Sequence, residues 1–208
     1  MLVLKGTIVT ADALNCHRAI AQQIVDRQGD YALALKSNQG TLHDDVILLL
    51  DDPECEAVTA APVVEADHGR IETRTAMVFT EIDWLQKQHQ SPGLKAISKV
   101  VRVRETPDKT TTETAYYLLT AALTAERFNE VARQHWGVEN RLHWRLDVVM
   151  NEDQDRTRLG NGPHNLAVLR HMALMNAMQK EGSKGSLREK LKRAGWDDVF
   201  LTKHLEMF

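Results

Sequence analysis

Apolar positions follow more than one rhythm along this chain. From Leu2 to Ala11 the run is continuous and rich in β-branched residues, broken by Lys5 and Gly6. Such a run predicts a strand covered on both faces, as inside a parallel sheet. Asp12 stands at its C-terminal end. Asn15 can cap a helix through Gln28, with Ile20, Ile24 and Val25 on its apolar face and Gly29 as its stop. Tyr31 to Leu35 reads as a second short strand, closed by Lys36-Ser37-Asn38-Gln39-Gly40, and Thr41 caps a helix through Leu50. Strand, helix, strand in this order predicts a parallel pair with a right-handed crossover.

The rhythm then changes. Asp51 to Ala66 reads as an acidic link containing Pro and Ala. Arg70 to Thr80, Leu94 to Arg104 and Thr112 to Thr120 alternate as strands, and Thr106-Pro107-Asp108-Lys109 is a good turn between the last two. A small antiparallel meander fits these runs. In the first of them Arg70, Glu72 and Arg74 share one face. Thr124 caps a helical pattern reaching Val149, and a further helix from Asn165 to Met178 would turn Leu166, Leu169, Met172 and Ala173 inward. A basic tail follows, with Lys184, Arg188, Lys190, Lys192 and Arg193. The expected class is mixed α/β, divided into a core part (1–50), a linker and β-rich segment (51–123), closing helices (124–180) and a tail (181–208).

Composition narrows the functional classes. At 43% hydrophobic and 26% charged over 208 residues, the sequence is not that of a disordered or collagen-like chain or a disulfide scaffold. A net charge of −3 means that any nucleic-acid contact rests on local basic patches. The two cysteines, Cys16 and Cys55, form no zinc-binding spacing. No apolar stretch reaches the roughly 20 residues of a membrane span. Lys5 and Asp12 interrupt the N-terminal apolar run, so no signal-peptide pattern is present. The expected location is the cytoplasm.

Ligands of open α/β sheets collect beyond the C-terminal strand ends. A carboxylate there, such as Asp12, suits a metal ion, although it also suits a simple turn. His135, Glu139 and His143 fall at successive i, i+4 positions. That face could ligate a cation or set Glu139 opposite Asp12, and the neighbouring Trp136 and Trp144 could stack on bases or fill a core. A metal-binding helix built on those two histidines and Glu139 is one reading. Lys36, Asn38 and Gln39 at the second strand end, and His68, Arg70 and Arg74, could touch a phosphate backbone or form ordinary turns.

In combination these segments resemble the transposases of DDE-type bacterial insertion sequences, in particular the ISAs type that includes the H-repeat-associated proteins. The residues that carry the likeness are Ile8 to Cys16, Gly29 to Gln39, Asp67 to Arg74, Arg133 to Asp147, Asn151-Glu152-Asp153 and Ala194 to Asp198. They occur in order over nearly the whole chain. The resemblance implies a ribonuclease-H-like core with an antiparallel β insertion, and a catalytic Asp, Asp and Glu holding two Mg²⁺ ions. By position Asp12 corresponds to the second aspartate and Glu139 to the glutamate, as catalytic and metal-binding residues. The likeness further implies DNA as partner, through the terminal inverted repeats of the element. Lys36, Asn38, Gln39, His68, Arg70, Arg74, His135, Trp136, Asn140 and His143 are the candidate DNA contacts.

Departures accompany the likeness. Relatives often place a Tyr, an Arg and a Lys around the final Glu, whereas here His135 lies four residues before Glu139 and Leu146 seven after. The first aspartate has no counterpart ahead of Asp12. The expectation is an N-terminally truncated transposase that is inactive alone. A second reading is a DNA-binding fragment that competes with or modulates an intact transposase, with a second copy of the chain or an intact transposase as the protein partner.

Overall fold

The computed structural model describes residues 3–67, 69–179 and 185–205. The chain forms two compact units, residues 1–135 and 136–208.

The first unit is built on one sheet. Strand β1 (Ile8–Ala11) leads through a 3₁₀ turn to helix α1 (Arg18–Asp26), β2 (Asp30–Leu35), a second 3₁₀ turn and α2 (Thr41–Leu50). Then come β3 (Val58–Thr59), β4 (Val63–Asp67), β5 (Arg70–Phe79), α3 (Asp83–His89), β6 (Ala96–Glu105), β7 (Thr110–Leu119) and α4 (Ala125–Val138). The 7 strands run in the order β1-β2-β7-β6-β5-β3, with β4 also paired to β5. The parallel pair expected from the sequence is present, with Ile8 opposite Asp30 and Ala11 opposite Leu33.

The β-rich segment is not a layer of its own. β7 bonds directly to β2, with Ala32 opposite Leu119 and Leu35 opposite Tyr116, so the meander extends the sheet that carries Asp12. Its long hairpins are as the alternation predicted, and the turn closes by Thr106 N–H donating to the Lys109 carbonyl at 2.9 Å. The span read as a link contains β3 and β4, and α3 lies between β5 and β6.

β1 is shorter than its apolar run. Leu4 to Thr7 form a turn through Gly6, and the four strand residues are half-buried rather than covered on both faces. Among the described residues β1 pairs only with β2. The stop of α1 also differs in detail: Gln28 takes the left-handed backbone at φ 58°, while a Cβ on Gly29 would lie 2.9 Å from Leu4 Cβ. Gly29 is there for close approach.

Alternation sorts the core into two layers. Tyr31, Leu33, Leu35, Ile97 and Leu118 face α1, α2 and α3, with Ile24, Val46 and Leu85 above them. Ala32, Ala76, Ala96, Val100, Tyr117 and Leu119 face α4 through Phe128, Val131 and Ala132. Small residues on this side let α4 lie close, and Phe128 meets Tyr117 edge-on at 5.1 Å between ring centroids. Burying Phe128 fully contributes about 3 kcal/mol.

The second unit is helical. After α4, Glu139–His143 winds as a π-helix, followed by α5 (Trp144–Met150), a 3₁₀ turn, α6 (Gly162–Gln179), α7 (Leu187–Ala194) and α8 (Asp198–Leu205). α7 starts with a reciprocal capping box between Ser186 and Glu189. The predicted inward stripe of α6 is corrected here. Leu169 and Met172 are exposed, while Leu174 and Ala177 are buried. α6 is apolar around much of its circumference, so its periodicity does not single out the packed side. Among the described residues no helix is long and apolar enough to cross a membrane.

Candidate active site

Asp12 follows β1 in extended conformation (φ −74°, ψ 174°) and opens a 3₁₀ turn. Its carbonyl accepts from Asn15 N–H, and its Oδ1 accepts from Asn15 Nδ2 at 3.0 Å. It is therefore a turn-starter and also a half-exposed carboxylate at a strand end. A carboxylate offers about four lone-pair positions, so one amide bond leaves room for a second partner. The second strand end is tied to the first, because Asn38 Nδ2 donates to the Ala13 carbonyl at 2.8 Å. Asn38 thus serves the turn beside Asp12.

Lys36 also continues its strand in extended backbone (φ −137°, ψ 177°) and is exposed. Side chains two residues apart on a strand share a face. Lys36 is therefore on the side of Ala32 and Ala34, the α4 side of the sheet. Asp12 is on that side too, following Ile8 and Thr10. An acid and a base thus share one face at the C-terminal ends of neighbouring parallel strands. Gln39 is half-buried and lines a small cavity with Cys16, Tyr31 and Ser91. Burial pushes the Cys16 thiol up to about 11, which keeps it protonated and unreactive.

His135 is half-buried at the end of the inward stripe of α4, and its Nδ1 lies 3.0 Å from Thr10 Oγ1. Sequence reasoning missed Thr10. The signal was its position two residues before Asp12 on the same strand face. Trp136, His143 and Trp144 are exposed. Glu139 opens the π-helical turn, whose wider winding departs from the i, i+4 spacing expected for His135, Glu139 and His143. The side chains of Glu139 and Asn140, and all of His68, lie outside the described residues.

Arg74 corrects an expectation. It is only 6% exposed, and its guanidinium pairs with Glu65 at 2.9 Å and Glu72 at 3.1 Å. It is a buried structural charge and is not presented to a phosphate backbone. Glu65 also binds Arg133 at 3.2 Å, joining β4 to α4. Arg74's hydrogen bond, opposed by partial burial, holds the Glu65 carboxyl below the usual range. Arg70, at the start of β5, is exposed.

Among the described residues no group of three or more His, Cys, Asp or Glu converges as a metal cage. Asp12 has a hard oxygen, partial exposure and an orienting partner in Asn15, a combination that suits a divalent cation.

The family model described as "Transposase DDE domain" matches residues 1–176. The chain is 37% identical over 215 residues to "Putative protein YbfL" of Escherichia coli (strain K12), covering 99% of this chain and 56% of that protein. It is 36% identical over 215 residues to "H repeat-associated putative transposase YhhI" of the same strain, with the same coverage. It is 30% identical over 214 residues to "Putative transposase YncI" of Escherichia coli O157:H7, covering 99% and 54%. The chain thus spans little more than half the length of these curated relatives.

Proposed function

The chain belongs to the transposase DDE-domain family, and from that premise we propose that it carries part of the DNA-cleaving and strand-transfer centre of an insertion-sequence transposase, on a ribonuclease-H-like core. The observation that carries this reading is the Asp12 carboxylate at the C-terminal end of β1, sharing a face with Lys36. Asp12 and Glu139 are the two acids we assign to the reaction, and both would hold Mg²⁺. Divalent cations, when bound, would activate the attacking oxygen and stabilise the leaving one.

The chain's own groups have separable roles. Asn15 orients the Asp12 carboxylate, and Asn38 braces the turn that follows it. The Lys36 ammonium would meet a DNA phosphate at the strand end, where no ion pair occupies it among the described residues. Arg70, Trp136, His143 and Asn140 are the further DNA contacts we propose, together with His68 and Gln39. The DNA partner would be the terminal inverted repeat of the element.

With two assigned acids in place of a triad, this chain by itself would bind DNA and leave it uncut. The test is incubation with linear DNA carrying inverted-repeat ends, in Mg²⁺ or Mn²⁺, followed by gel shift and denaturing electrophoresis. Salt-sensitive binding without cutting is expected. Cutting that Glu139→Gln abolishes would overturn the incompleteness while keeping the assignment of Glu139. No DNA binding even at low salt would remove the DNA-partner reading.

A further inference from the structure

His135 was a candidate DNA contact on sequence grounds, but the structure gives its ring another task. Phe128, Val131 and Ala132 form the stripe by which α4 packs on the sheet, and His135 continues that stripe by one turn. An apolar residue would suffice there for packing. Instead an imidazole sits at the end of the stripe, with Nδ1 3.0 Å from the hydroxyl of Thr10, 125 residues away in sequence. Thr10 and Asp12 are i, i+2 on continuous extended backbone, so their side chains stand on the same face, about 6.7 Å apart along the strand. The imidazole therefore braces β1 on the face from which the Asp12 carboxylate projects, one strand step before it.

We propose that His135 is a positioning residue for Asp12, acting through the Thr10 hydroxyl to hold the C-terminal end of β1 against α4. This rests on the assignment of Asp12 to the metal-dependent site. After the strand end, the Asn38–Ala13 bond holds the turn that begins at Asp12. The carboxylate is thereby fixed from the residue pair before it and from the turn after it. Partners bonded directly to a metal ligand are worth about 10- to 100-fold in metal affinity, and a brace acting one residue pair away is set at the lower end of that range.

The experiment uses the 208-residue chain with Thr10→Val, His135→Ala, the double variant and His135→Asn, whose amide can still reach the hydroxyl. Two properties are followed: amide hydrogen exchange across residues 12–15, and Mn²⁺ affinity by electron paramagnetic resonance. Each single loss should speed exchange in the turn and weaken Mn²⁺ binding about tenfold. The double variant should lose no more than either single one, and His135→Asn should recover most of both. DNA affinity should stay within about twofold. Unchanged exchange and unchanged Mn²⁺ affinity would overturn the proposal, as would lost DNA affinity with the turn unaltered. Exchange that responds to Thr10 and His135 while Asp12→Asn leaves Mn²⁺ binding intact would uphold the positioning and remove the metal reading instead.

Discussion

Two polar constellations in the first unit supplied candidate site residues in the sequence. One is the Arg70, Glu72 and Arg74 face of β5, and the other is Asp12 with Lys36 at the ends of β1 and β2. The structure separates them by what their charges touch. On β5, Arg74 spends its guanidinium on Glu65 and Glu72, and Glu65 spends its second oxygen on Arg133. The charges of Arg74, Glu72 and Glu65 are answered from within the fold, and Arg70 at the strand start stays exposed. At the strand ends, Asp12 is held by one neutral amide, and Lys36 has no ion pair among the described residues. A charge oriented by the fold but not neutralised by it is available to a ligand, whereas a neutralised one mainly supports stability.

The sharpest way to break this contrast is Arg74→Ala. It strips both glutamates of their main partner and should cost about 2 kcal/mol in urea unfolding, tempered by Arg104, which stays 3.5 Å from Glu72. DNA affinity at matched folded fraction should not move. A loss of DNA binding with stability intact would reverse the assignment.

Asn129 probes the same region with opposite sign. It is 4% exposed and lines the cleft with Glu65, Arg74 and Arg133, and neither of its amide atoms has a hydrogen-bond partner among the described residues. Replacing it by Leu should raise stability by about 1 kcal/mol, read as a higher midpoint in urea.

Acid should expose the network too. The Glu65 pKa is depressed in the fold by Arg74's hydrogen bond, with partial burial opposing. Its contribution is present above the unfolded value of about 4.3 and fades as pH falls through the lower folded value. The acid limb of stability in Arg74→Ala should therefore be shallower than in the parent, measured by urea midpoints from about pH 6 to about pH 3.

The smallest stability effect belongs to Lys36→Ala, within about 0.5 kcal/mol. That substitution should still lower the salt dependence of DNA binding by about one phosphate contact. An unchanged slope would remove Lys36 from the DNA surface.

Much of this was legible in the sequence where one signal dominated. The long strands β5, β6 and β7 announced themselves by alternation, and Thr124 by its cap, which the Arg127 N–H to Thr124 Oγ1 bond of 3.2 Å bears out. Asp12 was legible because a polar residue after an apolar run marks a strand end. What escaped was decided by tertiary context. β3 and β4 are short, and β4's Glu65 sat in a span that read as a link. Without Glu65 and α4, nothing in the alternation of β5 tells that the face holding Arg74 is covered. The packed side of α6 was hidden by apolar residues on both faces. The π-helical turn at Glu139 has no periodic signature, because a single wide turn shifts the register within a helical pattern that otherwise persists.

The most direct test of the central assignment is Mn²⁺ binding to the chain and to Asp12→Asn, Glu139→Gln and Asp155→Asn. Asp155 is an acid already engaged by Thr157 and Arg170, and it serves as the control. The account predicts that the first two substitutions each weaken binding by at least about tenfold and that the third leaves it unchanged. Equal Mn²⁺ affinity in the parent, Asp12→Asn and Glu139→Gln would contradict it.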